Sequence, residues 1–183
     1  MLEIRFHGRG GHGVKTAALL LAEAFIKQGM NAQAFPEFGP ERRGAPVKSF
    51  VRASKEQIMM HEPVENPNVV VVLDESLAES PEISEGLFQK GILLINSSKK
   101  QEFFKKQTRF DGKIYTIDAN KIAIENIGHP VASTVMLGAL AALVGIDFNA
   151  LREVVLEYFT EKKDKVAAEK NIRAMEIAFK TIK

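Results

Sequence analysis

The N-terminal segment follows a strand–turn–helix order that restricts the fold more than any other part of the sequence. Residues 2–6 alternate apolar and charged side chains, which is typical of a strand, and a run of glycines follows at residues 8–13. Residues 14–27 carry apolar side chains at helical spacing, and Gly29 ends that pattern. A strand that leads through a glycine-rich turn directly into a helix indicates an α/β fold.

The rest of the chain continues to alternate between strand and helix patterns. Residues 31–35 and 47–53 are predicted strands, the second a candidate for antiparallel pairing. Residues 69–73 and 91–96 are continuous apolar runs typical of buried parallel strands, and residues 114–117 are a weaker example. Helices are predicted at residues 81–90, 119–127, 133–144, 148–158 and 163–180. We expect a single three-layer α/β domain over residues 1–183, with a mainly parallel sheet, helices on both faces and a C-terminal helical extension.

Composition excludes several kinds of site. The chain contains no cysteine, so it offers no disulfide, no thiolate nucleophile, no thiolate zinc site and no cysteine ligands for an iron–sulfur cluster. Its four histidines show no metal-ligand spacing. The formal net charge of +2 favours neither nucleic acid nor a membrane as partner. The N-terminus is typical of a strand and not of a signal peptide, and residues 131–146 are too short for a confident membrane span, so we expect a cytoplasmic protein.

The glycine-rich turn is the first candidate binding site. Residues 8–13 match G-x-G-x-x-G between a strand and a helix, which is the context that the dinucleotide fingerprint requires. Glycines let backbone amides approach an anion, and the start of a helix adds positive potential. A tight turn without any ligand explains the bare pattern equally well. The candidate cofactor-binding residues are Gly8, Arg9, Gly10, Gly11, His12 and Gly13.

Two nucleotide-binding interpretations fit this turn poorly. NAD binding requires an acidic residue at the end of the second strand, whereas Glu37 follows Pro36 inside a loop. A phosphate-binding P-loop requires a lysine where Val14 stands, and Lys15 is turned away from that position by about 100° on a helix. We therefore disfavour NAD and reject the P-loop.

The second candidate site is the loop at residues 35–47. It is rich in glycine and proline and also strongly charged, a combination that favours an interface over a simple connection. A solvated connection remains the alternative. Because this loop follows strand two and the glycine turn follows strand one, both should lie at the same carboxyl edge of the sheet, where open α/β sheets bind ligands. The candidate interface residues are Glu37, Glu41, Arg42, Arg43 and Gly44.

These two motifs together resemble the gamma subunit, or gamma domain, of 2-oxoacid:ferredoxin oxidoreductases. The matching segments are His7-Gly-Arg-Gly-Gly-His-Gly13 and Ala34-Phe-Pro-Glu-Phe-Gly-Pro-Glu-Arg-Arg-Gly-Ala-Pro-Val47. Further similarity lies at residues 69–74, 130–140 and 171–174, so it covers nearly the whole chain in order. One departure is His12, which stands where the family usually carries glutamine and which, unlike glutamine, can become charged.

The resemblance implies a role inside a larger complex. Enzymes of this family oxidatively decarboxylate pyruvate or a related 2-oxoacid, form acyl-coenzyme A and reduce ferredoxin. Thiamine diphosphate, Mg and iron–sulfur clusters lie in partner subunits, so the expected partners are alpha, beta and delta subunits, with ferredoxin as an indirect partner. No cofactor is expected on this chain alone, coenzyme A is the expected ligand, and the chain is a structural, non-catalytic subunit.

Three alternatives remain open at this point. The glycine turn alone would also suit a free-standing NAD(P)-binding oxidoreductase. Within the same family, the chain would also suit the related subunit of an indolepyruvate:ferredoxin oxidoreductase. Outside enzymes, it would suit a ligand-sensing or interaction module.

Four polar features elsewhere favour structural roles. Asp74 ends an apolar strand and is predicted to cap the next helical turn together with Ser76, and Asn96 has a similar position. Asn171 interrupts an apolar stripe and is predicted to bond the backbone. A cluster of lysines is interpreted mainly as a solvent-exposed face. The less favoured alternative is a binding surface for the phosphates of coenzyme A. The members of the cluster are Lys99, Lys100, Lys105 and Lys106.

Overall fold

A six-stranded sheet forms the centre of the computed structural model, which describes residues 1–37, 43–108 and 110–182. Its strands are β1 (Leu2–Arg9), β2 (Asn31–Pro36), β3 (Pro46–Ser54), β4 (Val69–Val72), β5 (Ile92–Asn96) and β6 (Lys113–Ile117). The spatial order is β2-β3-β1-β4-β5-β6. β1, β4, β5 and β6 are parallel, whereas β3 is antiparallel to both of its neighbours. The predicted mainly parallel sheet and the antiparallel pairing of the strand at residues 47–53 are confirmed.

Helices cover the two faces unequally. They are α1 (Val14–Lys27), α2 (Gln101–Thr108), α3 (Ala119–Ile127), α4 (Ser133–Val144), α5 (Phe148–Glu161) and α6 (Lys165–Thr181). The larger core lies between the sheet and the layer that contains α1 and α4, and α5 and α6 form the C-terminal extension behind it. The opposite face carries α2 and two short 3₁₀ turns. In the described parts of the chain, no helix is both long enough and apolar enough to span a membrane.

Close contact between α4 and α6 explains a polar residue in the core. Gly138 of α4 lies so near α6 that an added Cβ would stand 2.1 Å from the carbonyl oxygen of Met175. Asn171 of α6 is buried in this contact, where its Nδ2 donates to the Ala167 carbonyl and its Oδ1 accepts from Thr134 Oγ1. The predicted backbone bond of Asn171 is therefore confirmed.

One prediction about local structure is wrong, and one helix was not predicted. Residues 81–90 form only a 3₁₀ turn, Pro81–Ile83, followed by further turns. Gly86 has φ +72°, and a Cβ there would stand 1.9 Å from the Glu65 carbonyl oxygen, so tertiary contact prevents a helix from continuing. Conversely, α2, which carries Lys105 and Lys106, was not predicted from its charged sequence; it packs on the sheet through the buried ring of Phe104.

The strand that leads into the glycine turn is anchored by a buried arginine. Arg5 of β1 donates to the carbonyls of Glu82 and Glu85 at 2.8 and 2.7 Å, and its Nε donates to His7 Nε2 at 2.9 Å. His7 is only 4% exposed. Burial, reinforced by the charges of Arg5 and Lys48, lowers the pKa of His7 to about 3. His7 is therefore a neutral acceptor that holds Arg5 in place.

We expect Gly86→Ala to destabilise the fold more than Gly145→Ala. Both glycines have similar positive φ, +72° and +74°, so both alanines carry a backbone strain of about 1 kcal/mol. Only the Gly86 variant adds a clash with the Glu65 carbonyl, since nothing lies within 4 Å of the Cβ position at Gly145. Chemical denaturation of the two variants measures the difference. Equal losses would show that the backbone near Glu65 yields easily.

His7 makes stability depend on pH in a defined direction. The folded-state pKa of His7, about 3, lies below the ordinary value of 6.5, so the unfolded chain binds more protons between these values. The free energy of unfolding should therefore contain a contribution that is complete above pH 6.5 and is lost as pH falls toward 3. His7→Gln keeps an acceptor for Arg5 and should remove this part of the pH dependence, whereas the exposed control His61→Gln should retain it. Denaturation from pH 7 to pH 4 measures both, and parallel profiles for the His7 variant and the wild type would contradict the assignment.

Candidate functional site

The glycine loop, residues 8–13, joins β1 to an uncapped helix start. Gly13 occupies the N-cap of α1 with φ +77°, and an added Cβ there would stand 2.7 Å from Ser133 Oγ. No side chain caps α1 and its first turn contains no acidic residue. α4 is uncapped in the same way, whereas α3, α5 and α6 are capped by Asp118, Asp147 and Asp164. The start of α1 is therefore compatible with an external anion.

The glycine loop and the β2–β3 loop, residues 37–45, lie at one edge of the sheet, and there they also contact each other. Gly10 N donates to the Ala45 carbonyl at 2.8 Å, and Gly44 N donates to the Gly10 carbonyl at 3.0 Å. Arg43 extends along Gly11, since an added Cβ on this glycine would lie 3.7 Å from Arg43 Cγ. The structure thus brings Gly8–Gly13, Glu37, Arg43 and Gly44 to one edge of the sheet, while Glu41 and Arg42 lie outside the described residues.

Arg9 connects these two loops to β4 with all three guanidinium nitrogens. Nε donates to Asp74 Oδ2 at 3.0 Å, Nη1 to the Gly44 carbonyl at 3.0 Å and Nη2 to Ser76 Oγ at 2.8 Å. The sequence signalled Asp74 only as a cap, and this cap is confirmed by the bond from Ser76 N at 3.0 Å. Its pairing with Arg9 was missed because the two residues are distant in sequence.

The environment of Asp74 keeps its carboxylate ionised. Burial alone would raise its pKa, but hydrogen bonds from Ser76 and the charge of Arg9 outweigh that effect, so the pKa of Asp74 lies below its ordinary value. His12 stands nearby, with Nδ1 3.9 Å from Asp74 Oδ2, and is about half exposed. The carboxylate therefore holds Arg9 in place and faces the ring of His12.

A basic groove of about 850 Å³ opens between the glycine loop and the β2–β3 loop. Lys15 and Arg43 line it, and neither makes an ion pair with the described residues. Lys48 also lines it but is paired with Glu82 at 2.9 Å and lies 3.7 Å from Glu37. Two unpaired cations beside the uncapped start of α1 make this groove suitable for a phosphate group.

A polar cleft of about 420 Å³ lies on the other side of the glycine loop. Three carboxylates line it, from Asp74, Glu75 and Asp118, so it is unfavourable for a phosphate. Asn96 lies buried at the bottom of this cleft. Its Oδ1 accepts a hydrogen bond from Ala119 N at 3.0 Å and so stabilises the start of α3. The two sides of the glycine loop therefore differ in the sign of their charge.

Strand order argues against NAD binding in the usual manner. In a dinucleotide fold the acidic residue that binds ribose ends the strand next to β1. Here β3 lies between β1 and β2, which separates Glu37 from the position that the ribose would require. The described residues also contain no group of three or more histidine or acidic residues that could hold a metal ion. The lysines at 99, 100, 105 and 106 do not line the basic groove.

The comparisons with known proteins agree with the resemblance in the motifs. Pyruvate synthase subunit PorC of Thermotoga maritima is 44% identical over 182 residues, which cover 99% of this chain and 94% of that protein. The pyruvate/ketoisovalerate oxidoreductases common subunit gamma of Thermococcus kodakarensis is 43% identical, with 98% and 96% of the two chains covered.

Solved structures show the same fold. The crystal structure of pyruvate oxidoreductase subunit PORC from Thermotoga maritima superposes with a TM-score of 0.86 at 43% identity, covering 98% of this chain and 95% of that one. The 2-oxoglutarate:ferredoxin oxidoreductase of Magnetococcus marinus, solved with 2-oxoglutarate, coenzyme A and succinyl-CoA bound, gives 0.80 at 22% identity. That match covers 99% of this chain but 31% of the longer one, and shows the fold alone.

Family membership rests on the whole length of the chain. Residues 3–181 match the pyruvate ferredoxin/flavodoxin oxidoreductase family, and the relatives align almost from end to end. The two motifs that carried the resemblance, residues 7–13 and 34–47, both lie within the matched segment. The chain belongs to the pyruvate ferredoxin/flavodoxin oxidoreductase family.

Proposed function

We propose that this chain is the gamma subunit of a 2-oxoacid:ferredoxin oxidoreductase that uses pyruvate. The enzyme would decarboxylate the 2-oxoacid with thiamine diphosphate, transfer the acyl group to coenzyme A and pass electrons through iron–sulfur clusters to ferredoxin. Those groups would lie in alpha, beta and delta partners within a cytoplasmic heterotetramer. Support comes from relatives named as pyruvate synthase or pyruvate/ketoisovalerate oxidoreductase subunits over nearly their full length.

The basic groove is the observation that carries a role in binding coenzyme A. Coenzyme A presents phosphates, and the groove combines the open start of α1 with the unpaired cations of Lys15 and Arg43. Amides near Gly11 and Gly13 would donate to a phosphate, while the Gly10 amide, which donates to the Ala45 carbonyl, would hold the loop in shape. The fold match to a protein solved with coenzyme A bound is consistent with this role.

Arg9 and His12 would contribute to the same site in different ways. The guanidinium nitrogens of Arg9 already donate to Asp74, Ser76 and the Gly44 carbonyl, so its role would be to hold the loop in shape. Gly8 is the next-to-last residue of β1, directly before Arg9. His12 lines the polar cleft and is half exposed, so it would add a charge or a hydrogen bond from the far side of the loop.

The β2–β3 loop would form part of an interface with the catalytic subunits. Arg43 and Gly44 are exposed, and so is Glu37 at the start of the loop. Exposed charges held on a loop that is bonded to the glycine loop can pair with another subunit without a large ordering cost. Glu41 and Arg42 would extend this interface.

Gly11→Val should weaken the use of coenzyme A by the assembled enzyme. Valine is strained at φ +93° and would displace the amides that we assign to a phosphate. We expect the apparent KM for coenzyme A to rise about tenfold or more, since hydrogen bonds to charged groups contribute roughly 1.5–3 kcal/mol. Release of CO₂ from pyruvate in the absence of coenzyme A should change little, because it precedes acyl transfer.

Gly29→Val is the matched control for this variant. Gly29 also has positive φ, +76°, with no atom within 4 Å of its Cβ position, and it lies at the opposite end of α1. The control should lose similar stability but keep the KM for coenzyme A. An unchanged KM in a fully assembled Gly11 variant would refute the phosphate role, and a parallel loss of both activities would indicate a purely structural turn.

Arg43→Glu should weaken assembly of the complex. Reversal of a desolvated interface charge costs a few kcal/mol, whereas reversal at a solvated rim costs little. Arg173→Glu on the exposed side of α6 is the control with the same charge change. Subunit dissociation on dilution, measured at low and high salt, should be greater for the Arg43 variant. If both variants assemble like the wild type at each salt concentration, the β2–β3 loop is solvated.

A further inference from the structure

The backbone of β2 alternates between a bonded side and a free side. Glu37 N donates to the Lys48 carbonyl at 3.0 Å, and the β2–β3 register continues from that pair. In an antiparallel ladder only every second residue bonds the partner strand, so Asn31, Gln33 and Phe35 face β3. The N–H and C=O groups of Ala32 and Ala34, and the C=O of Pro36, point away from β3. Within the described residues, β2 has no strand on that outer side.

The outer edge of β2 has little of the usual protection of a sheet edge. Exposed edges are normally protected by charged side chains, prolines, bulges or covering elements, because unpaired backbone groups attract other chains, and of these β2 has only Pro36 at its end. Asn31–Pro36 contains no charged residue and pairs with β3 in continuous register without a bulge. Pro36 stands at an outward-facing position where it has no N–H to offer, so only Asn31–Phe35 can receive a full set of strand hydrogen bonds.

One side-chain atom beside this edge also lacks a hydrogen-bond partner among the described residues. Gln33 donates through Nε2 to the Ile58 carbonyl at 3.2 Å, but its Oε1 is buried and accepts no hydrogen bond from the described residues. A pocket of about 390 Å³ opens here, lined by Gln33, Ala34, Phe35 and His61. Met59 and Met60 follow Ile58 and are 74% and 41% exposed. Free backbone groups thus run alongside a pocket and exposed apolar side chains.

We propose that the outer edge of β2 receives an extended segment of another subunit of the enzyme as an additional strand. Strand addition of this kind obtains affinity from main-chain hydrogen bonds and specificity from pockets that accept alternate side chains. The pocket beside Phe35 would receive an apolar side chain of that segment. This inference uses the membership of the chain in an oxidoreductase complex and is independent of coenzyme A binding.

The balance of donors and acceptors favours a different subunit over a second copy of this chain. The outer edge offers the N–H groups of Ala32 and Ala34 but the carbonyls of Ala32, Ala34 and Pro36, which is one acceptor more than donors. A second copy would bring the same excess of acceptors to the contact. A segment of different sequence can supply the missing donor.

Hydrogen exchange of individual amides provides the direct test, with an internal control in the same strand. In the isolated full-length chain, the outward amides of Ala32 and Ala34 should exchange quickly, while those of Gln33 and Phe35, bonded to β3, exchange slowly. In the complex purified with its co-expressed subunits, the Ala32 and Ala34 amides should slow by at least about tenfold. Unchanged rates in the complex would overturn the proposal. Slow exchange in the isolated chain, or a dimer of that chain in light scattering, would also overturn it.

Substitution of Ala34 separates the backbone contribution from the side chain. Ala34→Pro removes an outward N–H without removing a bond to β3, as Pro36 already does in the native strand. Ala34→Ser changes the side chain but keeps the amide and is the matched control. We expect the proline variant to dissociate from the complex at a concentration at least tenfold higher than the serine variant, with a similar melting temperature of the isolated chain. Equal retention of both variants in the complex would contradict strand addition.

Discussion

The antiparallel pairing of β1 with β3 determines where every candidate residue lies. Its register sets Arg9 opposite Pro46, so the end of β1 and the start of β3 meet at one edge of the sheet. Because β3 also runs antiparallel to β2, β1 and β2 point in the same direction, and both functional loops open at that edge. The same arrangement leaves β2 as the terminal strand of the sheet. The glycine loop of this chain therefore resembles that of a dinucleotide-binding fold in its strand–turn–helix geometry but not in the order of the neighbouring strands.

Arg9 makes these elements a single unit. Its guanidinium group donates to Asp74 and Ser76, which follow β4, and to the Gly44 carbonyl in the β2–β3 loop. A single side chain therefore links these segments. This arrangement leaves the amides of the glycine loop between a basic groove and a polar cleft rich in carboxylates. A phosphate is therefore favoured on one side of the loop and repelled on the other. The two sides of the loop thus differ in the charge that they would present to a ligand.

Sequence patterns located helices and strands well where residues within the same segment determine the secondary structure. The helices at residues 14–27 and 133–144 begin and end as predicted, because their apolar periodicity and terminal glycines act within one segment. The pattern failed at residues 81–90, where the Glu65 carbonyl occupies the space that a side chain at Gly86 would need. It also failed at α2, whose charged sequence hides the single buried ring of Phe104. Both errors come from contacts with distant residues, which no local pattern contains.

By itself, the sequence determined the α/β class, the glycine turn before a helix, the absence of cysteine ligands and the two motifs that indicate the family. These features depend only on residue type and on spacing along the chain, and both can be read directly from the sequence. Only the tertiary structure decided that Arg9 is paired with Asp74, that Lys15 and Arg43 share a groove, and that His7 is buried and neutral. It also decided which backbone groups of β2 stay free. Charge pairing, burial and strand neighbours depend on distances through space. Those distances are set by the strand order, which results from contacts between segments that are far apart in the sequence.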